Sequence, residues 1–361
     1  MKIYINGIGN VSPQKTWDPA SFLNEVKAYE GRMLQCLEPE VDPGLDDKYL
    51  RRMSRMIRLG WIAAKICMDD AGKQRPDAII TGSGWGSVLD SEKFLLSIYK
   101  NKESLLPPTP FIQSTHNAVG AQIAMLLNNS SYNMAYAHAS FAFEHALLDG
   151  ILSLNSGDCR NVLLGGFDEI TANQFILTGR LHRWREKDVN SLQLLDKKAD
   201  GTIAGEGFNF FFLQDQLSDN TYAEVNDVMT LFSMDEPGQI RADVLHFIER
   251  NGLEPGMIDW IFAGLNGDQA GDQIYMEMIT NIFPSGYNLA AWKHLCGEYH
   301  TSSAFATWAA SKAIKHQAVP DILRIKSGDG RHDVKNILIY NHYKGTHHSF
   351  ILLNAADSIK K

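Results

Sequence analysis

The chain alternates between short apolar segments that end in glycine and longer segments with apolar residues at helical spacing. Residues 2–9 (KIYINGIG) and 77–84 (DAIITGSG) have the strand pattern, and residues 49–72 have a helical stripe. Strands separated by helices predict an α/β protein with both sheet faces covered. The layout resumes after about residue 220, so we predict two similar halves, residues 1–218 and 219–361, in one compact unit.

The other segments follow the same two patterns. Helices are predicted over residues 118–128, 140–157, 242–252 and 300–316. Strands are predicted over residues 132–137, 160–170, 205–215, 258–267, 334–343 and 347–356. The segment 140–157 is apolar nearly all round, which predicts a buried helix.

Composition and charge argue against several functional classes. The 361 residues carry a net charge of −8, which disfavours nucleic acid or an anionic membrane as the main partner. No apolar run approaches the roughly 18 residues that a membrane-spanning helix needs. Four scattered cysteines form no CxxC pair and no metal-site spacing with histidine, so we predict a cytoplasmic protein with reduced thiols and no metal.

Two glycine-rich segments follow predicted strands, as a dinucleotide-binding fingerprint would: residues 7–12 (GIGNVS) and 82–87 (GSGWGS). Both have serine in place of the third glycine, and neither has a well-placed acidic residue roughly 20 positions on. We interpret them as tight turns that need a positive φ, and we predict no cofactor.

Several motifs, in the same order along nearly the whole chain, resemble β-ketoacyl-acyl-carrier-protein synthases of the thiolase superfamily. The opening YINGIGNVSP, the segment PPTPFIQSTHNAVGAQIA and the glycine pair in LLGGFDEI each resemble a family segment. The most specific string is DKKADGTIAGEG (residues 196–207), which resembles the family's D-x-x-R-D-G-F-V-x-G-E-G. After Gly207 the chain looks shorter than usual and the resemblance weakens.

The resemblance implies the thiolase fold, an α/β architecture of two similar halves in five layers (αβαβα). It also implies a dimer that is paired through the strand before the nucleophile, here residues 132–137. A homodimer and a heterodimer with a second ketosynthase subunit both fit this expectation.

The family's condensing chemistry depends on one cysteine and two histidines. A thiolate at a buried helix N-terminus accepts the acyl chain, and the histidines promote decarboxylation and stabilise the enolate. Alignment on AHASFAFEHALLDG places Ser140 at the cysteine. A helix dipole worth about 1 kcal/mol cannot ionise a serine hydroxyl, so Ser140 is predicted to be a helix N-cap or, alternatively, a weak nucleophile.

Both histidine positions are also replaced. The segment IDWIFAGLNG places Gly264 at the first position, and glycine has no group that can donate a proton. The string KHLCGE places Glu298 at the second position and retains the family's lysine as Lys293. A carboxylate repels a developing enolate, so we predict that Lys293 forms a structural ion pair with Glu298 or Glu206.

His138 and His300 each lie two residues from a replaced position. In a strand this offset keeps the same face, so His138 is predicted to face the site. In a helix it rotates the side chain by about 200°, so His300 is predicted to point elsewhere. A pair of Ser140 with either histidine would make an acyl hydrolase, although no G-x-S-x-G elbow surrounds the serine.

The resemblance further assigns three residues to an acyl pocket. Phe111 lies in the segment that lines the pocket in the family, and His138 precedes the nucleophile position. Tyr343 lies near the aromatic gate of the family's closing loop, here residues 341–348. Lys344 replaces a glycine of that loop, which predicts a less mobile gate.

A docking surface for an acyl carrier protein is expected at the start of the early helix. In the family, basic residues there meet the acidic carrier protein, and this chain has Arg51, Arg52 and Arg55 at that place. The alternative is a solvated helix face.

These assignments predict a ketosynthase-like subunit of fatty acid or polyketide (polyene-type) biosynthesis that lacks condensing activity. Such a subunit would pair with an active ketosynthase as a chain-length factor, and an acyl carrier protein would be its other partner. Three alternatives stay open: an active synthase with unusual residues, a Ser/His acyl hydrolase, and a module that only holds an acyl chain or carrier.

Overall fold

A computed structural model of the chain describes residues 1–356 except 41, 43, 197–198, 233–236 and 329–332. The strands are β1 (Ile3–Val11), β2 (Glu30–Gly31), β3 (Ala78–Gly82), β4 (Tyr132–Tyr136), β5 (Asn161–Asp168), β6 (Val189–Asn190), β7 (Gly207–Gln214), β8 (Ala223–Phe232), β9 (Trp260–Ala263), β10 (Asn288–Ala290), β11 (Arg324–Lys326), β12 (Asn336–Tyr343) and β13 (His347–Asn354). The helices are α1 (Asp47–Leu50), α2 (Arg55–Asp70), α3 (Val88–Lys100), α4 (Pro108–Gln113), α5 (Ala118–Leu126), α6 (Ala142–Ser156), α7 (Ala172–Gly179), α8 (Pro237–Arg250), α9 (Gln269–Ile282), α10 (Lys293–Cys296) and α11 (Ser302–His316). Among these described helices, each is too short or too polar to span a bilayer.

The large sheet has the strand order β11-β10-β9-β12-β13-β8-β1-β7-β5-β3-β4. In the group β4-β3-β5-β7-β1, strands β4, β3 and β5 are parallel to one another. β7 runs antiparallel to β5, and β1 runs antiparallel to β7. The group β10-β9-β12-β13-β8 repeats this pattern of directions. Antiparallel pairing of β1 with β8 joins the groups, so the predicted two similar halves are confirmed. The boundary between residues 218 and 219 remains our proposal.

Among the described residues, three large apolar cores lie between the layers, and a smaller fourth cluster includes Leu34 and Ile203. Successive side chains of a strand point to opposite faces, so a strand that is covered on both faces contributes to two cores. On β5, Leu164 packs in a central core with α6 and α11, whereas Leu163 packs in an outer core with α2. On β9, Phe262 faces the central core and Ile261 faces a second outer core with α8 and α9. This arrangement is the predicted five-layer αβαβα architecture.

The predicted single helix over residues 49–72 is interrupted. The structure has α1 and α2 in its place, separated by residues 51–54. Ser54 is the N-cap of α2, and its hydroxyl accepts a hydrogen bond from the backbone N–H of Ile57 at 3.4 Å. Serine is favoured at a helix N-cap, where its hydroxyl accepts from a free backbone N–H, and it is less favourable inside a helix. The spacing of apolar residues does not reveal such a helix start.

Gly7 and Gly9 have a different role from the predicted turn. Both lie inside β1, where the backbone is extended. A Cβ atom at Gly9 would lie 2.0 Å from the carbonyl oxygen of Ala63, because α2 packs directly on the strand. In the second glycine segment, Gly86 has the expected positive φ, +67°.

Gly9→Ala is therefore expected to lower the free energy of unfolding by about 1–3 kcal/mol, because the new methyl group must displace the backbone of α2. Chemical denaturation of the purified chain measures this change. Gly150→Ala on α6 is the matched control, since its methyl group would meet its nearest neighbour, Leu213, at 3.5 Å. The control should be as stable as the wild type or more so, and equal stability of the two variants would contradict the packing argument.

Candidate active site

Ser140 lies in the turn between β4 and α6. Ala139 has a φ of +42°, which is unusual for a residue with a side chain, and Ala139–Phe141 form one turn of 3-10 helix. Ser140 is 4% exposed, and its hydroxyl has no hydrogen-bond partner among the described residues. The predicted N-cap role is wrong, because the 3-10 turn comes first and Phe141 is the N-cap of α6.

Gly264 follows the end of β9 and has no room for a side chain. A Cβ atom there would lie 2.4 Å from the hydroxyl oxygen of Tyr275 and 2.4 Å from Oδ1 of Asn341. Both of these side chains are buried, and the Tyr275 hydroxyl donates a hydrogen bond to Asn341 Oδ1 at 3.0 Å. The space that an imidazole would need at this position is therefore filled.

Glu298 is held by an ion pair. Lys293 Nζ lies 3.0 and 2.8 Å from its two carboxylate oxygens, and Asn266 donates a hydrogen bond to Oε2 at 2.7 Å. The side chain of Lys293 is 1% exposed, so its charge is balanced inside the protein. The predicted structural ion pair of Lys293 is confirmed, with Glu298 as the partner.

The prediction that His300 points away from Glu298 is wrong. Glu298 forms an isolated β-bridge with Ala204, and α11 begins only after His300, so a helical rotation does not apply. His300 lies in the turn that precedes α11, and this turn brings its side chain to the cavity that Glu298 also lines. The ring of His300 packs between Trp85 and Tyr343, with centroids 4.9 and 5.0 Å away. Burial, helped by the nearby Arg183, lowers the pKa of His300 to about 3.

This cavity has a volume of about 300 Å³ and is lined by residues from both halves. Its walls include Trp85, Arg183, Asn266, Glu298, His300 and Tyr343. Of the residues predicted from sequence, Glu298 and Tyr343 line it, whereas Ser140, Gly264 and Lys293 do not. Of the replaced cysteine and histidine positions, this cavity therefore includes only Glu298.

Phe111 and His138 do not line the cavity either. Phe111 lies on the short surface helix α4, is 56% exposed, and packs on Phe94 with ring centroids 5.1 Å apart. His138 follows the end of β4 and is exposed, and its Nδ1 lies 3.4 Å from Nδ1 of His145. Neither residue therefore contributes to this cavity, and the acyl-pocket assignment of both remains a prediction.

The three arginines assigned to carrier docking do not share one environment. Arg51 and Arg52 are exposed between α1 and α2. Arg55 instead donates hydrogen bonds at 3.0 and 2.6 Å to the two carboxylate oxygens of Glu206, which is fully buried. Arg55 therefore forms a structural ion pair, and its assignment to carrier docking remains a prediction.

Two further residues with uncommon surroundings were not predicted. Arg183 Nη2 donates a hydrogen bond to the hydroxyl of Tyr343. Its guanidinium carbon lies 5.7 Å from the ring centroid of Trp85 and 5.4 Å from that of Tyr343. The sequence signal for Arg183 was the basic and aromatic segment LHRWRE, which belongs to none of the family motifs.

Glu144 is the second such residue. It lies on α6 one turn after Ser140, is fully buried, and accepts a hydrogen bond from the hydroxyl of Ser349 at 2.8 Å. Burial raises the pKa of Glu144 to about 7. A glutamate inside a helix that is otherwise apolar nearly all round was the sequence signal.

The sequence pattern of the family described as beta-ketoacyl synthase, N-terminal domain, matches residues 5–218, which is more than half of the chain. The chain therefore belongs to the beta-ketoacyl synthase family. Two curated relatives, the orsellinic acid synthases ArmB of Armillaria mellea and Armillaria ostoyae, are 23% identical over 250 residues. The match covers 60% of this chain and 11% of each relative, so the chain spans about a tenth of their length.

Solved structures share the fold over almost the whole chain. The ishigamide ketosynthase/chain length factor has a TM-score of 0.79 at 18% identity, covering 98% of this chain and 99% of its own. A beta-ketoacyl synthase from Burkholderia phymatum STM815 has a TM-score of 0.77 at 15% identity with the same coverage. The ketosynthase complex AntDE:AntF, a type II polyketide synthase with its acyl-carrier protein, has a TM-score of 0.78 at 14% identity, again covering 98% and 99%. The chain thus has the thiolase-like ketosynthase fold.

Glu144→Gln is expected to stabilise the protein more at pH 8 than at pH 5. The raised pKa means that the folded state binds more protons than the unfolded state between about pH 4.5 and 7, so stability falls as the pH rises through this window. A neutral glutamine removes a cost of up to about 3 kcal/mol above pH 7. Thermal unfolding of both proteins at the two pH values measures the difference.

The control for this measurement is Glu249→Gln, on an exposed position of α8. Its effect on the melting temperature should be the same at both pH values. An effect of Glu144→Gln that did not grow with pH would show that the carboxylate is not the source of the cost.

Proposed function

We propose that the chain is a ketosynthase-like subunit without condensing activity, which pairs with an active ketosynthase and acts as a chain-length factor in fatty acid or polyketide synthesis. The observation that carries this proposal is the packing around Gly264. Substitution by glycine alone would leave a gap, whereas here Tyr275 and Asn341 fill the space in which a histidine would promote decarboxylation.

The electrostatics at Glu298 support the same conclusion. An enolate oxygen is stabilised by hydrogen-bond donors or positive charge placed where its negative charge develops. Glu298 offers acceptors instead, and its carboxylate already takes hydrogen bonds from Lys293 and Asn266. Lys293 is therefore engaged in neutralising an acid and is not available to a substrate.

The contacts of Ser140 argue against the hydrolase alternative. Activation of a serine requires a general base within hydrogen-bond reach. Among the described residues the Ser140 hydroxyl has no such partner, while His138 contacts His145 and His300 lines the cavity that Ser140 does not reach. No serine–histidine pair is therefore assembled in the described part of this chain.

The exposed edge of the sheet supports pairing with another subunit. β4 is the last strand of the sheet, so one edge of it is unpaired. Tyr132 and Met134 on this strand are 45% and 39% exposed, and Leu148 and Leu152 of α6 are 39% and 58% exposed. An apolar edge strand of this kind is a template for adding a partner strand. We propose that the same edge of an active ketosynthase pairs with it.

Docking of an acyl carrier protein is the second partner interaction that we propose. Arg51 and Arg52 are exposed at the place where the family meets its acidic carrier, and AntDE:AntF is an example of a ketosynthase in complex with an acyl-carrier protein. Such a role places the chain in the cytoplasm, where carrier-bound chains are extended.

The purified chain alone is expected neither to decarboxylate malonyl-carrier protein nor to condense it with an acyl donor. Product analysis by mass spectrometry, with a cysteine-containing ketosynthase as the positive control, tests this expectation. Intact-mass analysis should also show no acyl group on the chain after incubation with acyl-carrier protein. Condensation by the lone chain, or an acyl adduct that Ser140→Ala abolishes, would overturn the proposal in favour of an active synthase.

Met134→Lys is expected to prevent assembly, because a charged side chain on the strand edge would be desolvated in the interface. Native mass spectrometry of the chain, alone and co-expressed with a cysteine-bearing ketosynthase from the same cell, measures the fraction in two-chain complexes. Met257→Lys, at a residue that is 48% exposed in the other half, is the matched control and should leave assembly unchanged. Assembly of the Met134→Lys protein at wild-type levels would exclude this edge as the interface.

A further inference from the structure

Two histidines, His138 and His145, meet near the end of β4. His138 directly precedes the 3-10 turn Ala139–Phe141, and His145 lies in the first turn of α6. The turn brings their side chains together, with ring centroids 5.0 Å apart and Nδ1 atoms 3.4 Å apart. The spacing of seven positions matches no sequence motif for a metal ion, so the pair is visible only in the folded chain.

The distance between the two Nδ1 atoms is longer than that of an ordinary hydrogen bond. When nitrogen donates, the donor and acceptor atoms are usually roughly 2.7–3.2 Å apart. Zinc binds an imidazole nitrogen at roughly 2.0–2.1 Å, so two nitrogens at the tetrahedral angle lie roughly 3.3–3.4 Å apart. The right angle of octahedral or square-planar coordination would bring them to roughly 2.8–3.0 Å at the same bond length. The observed 3.4 Å therefore fits one edge of a tetrahedral zinc site.

Aromatic contacts hold both imidazoles in this arrangement. Phe141 is 3% exposed, and its ring centroid lies 5.5 Å from that of His138 and 5.6 Å from that of His145. Tyr136 also packs on His145, with centroids 6.2 Å apart. Among the described residues, neither imidazole has a further polar contact. Because the two nitrogens are already close together, little conformational entropy would be lost when an ion binds.

The protein supplies two ligands to this site. In the described ranges, no group of three or more His, Cys, Asp or Glu side chains has the geometry to hold an ion. The ring centroid of His347 lies 6.3 Å from that of His138, and its Nδ1 contacts the Thr346 hydroxyl at 2.9 Å. Because His138 is exposed, water can fill the two remaining positions of a tetrahedral ion. Asp149, one turn after His145 on α6, adds negative charge nearby.

We propose that His138 and His145 bind a divalent cation of the zinc type through their Nδ1 atoms, with the tetrahedral shell completed by water. Imidazole nitrogen suits zinc, whereas magnesium and calcium prefer oxygen ligands. The proposal goes beyond the pairing role. Either proposal can fail without the other, because both ligands belong to one chain and binding is measured on that chain alone.

Isothermal titration calorimetry of the purified chain with zinc chloride, on protein prepared without a histidine tag, tests the site. Changes outside the ligand shell already weaken metal binding by roughly 10–100-fold. His138→Ala and His145→Ala, which each remove a ligand, should therefore weaken zinc binding at least about tenfold. His246→Ala, at an exposed histidine of α8, is the matched control and should leave the affinity unchanged. Magnesium chloride should give no binding that depends on His138.

Cobalt(II) reports the geometry of the same site. Bound to the pair, it should show the intense visible absorption of tetrahedral cobalt, and His138→Ala should remove this absorption. The proposal is overturned if the wild type binds no zinc, if the cobalt absorption is the weak one of octahedral coordination, or if either alanine variant retains wild-type zinc affinity, which would indicate an adventitious ion only. Since His138 is exposed, its variant decides the question even if His145→Ala does not fold.

Discussion

Two central helices, α6 and α11, fill the space between the two halves of the sheet, and α11 is buried along most of its length. All residues of α11 from Ser302 to Ile314 are buried, and many of them are alanines that let the strands approach closely. Two polar residues of this helix are satisfied locally: the hydroxyls of Thr307 and Ser311 donate to carbonyls one turn earlier, at 2.9 and 2.7 Å. Because both halves of the sheet pack on these helices, this packing positions the loops at the ends of the central layer.

The residues of the candidate site lie at the ends of this central layer. Asp168, at the end of β5, is fully buried and ties the neighbouring segments together. It accepts hydrogen bonds from the Ser83 hydroxyl at 3.0 Å and from the backbone N–H groups of Trp85 and Thr301, both at 2.9 Å. Burial raises the pKa of Asp168 to about 6. The cavity walls around Trp85 and His300 therefore depend on this buried carboxylate.

Regular elements were predictable because their signals are local. The helix over residues 300–316 and the strands that close the chain have clear apolar periodicity, and the structure contains them as α11, β12 and β13. The failures came where a short segment departs from its neighbours. Ser54 ends one helix pattern by capping the next, a 3-10 turn holds Ser140, and a turn before α11 brings His300 to the cavity that Glu298 lines. Periodicity averages over such segments and does not detect them.

The sequence alone determined the alternation of strands and helices, the order of the family motifs, and the replacement of one cysteine and two histidines by Ser140, Gly264 and Glu298. The tertiary structure decided what surrounds these residues. Tyr275 and Asn341, which are 66 positions apart in the chain, meet at Gly264 and fill the site. Arg183 and Tyr343, which are 160 positions apart, meet to form the wall of a cavity. Such contacts depend on how the packed layers bring distant segments together, and no local pattern of residues encodes them.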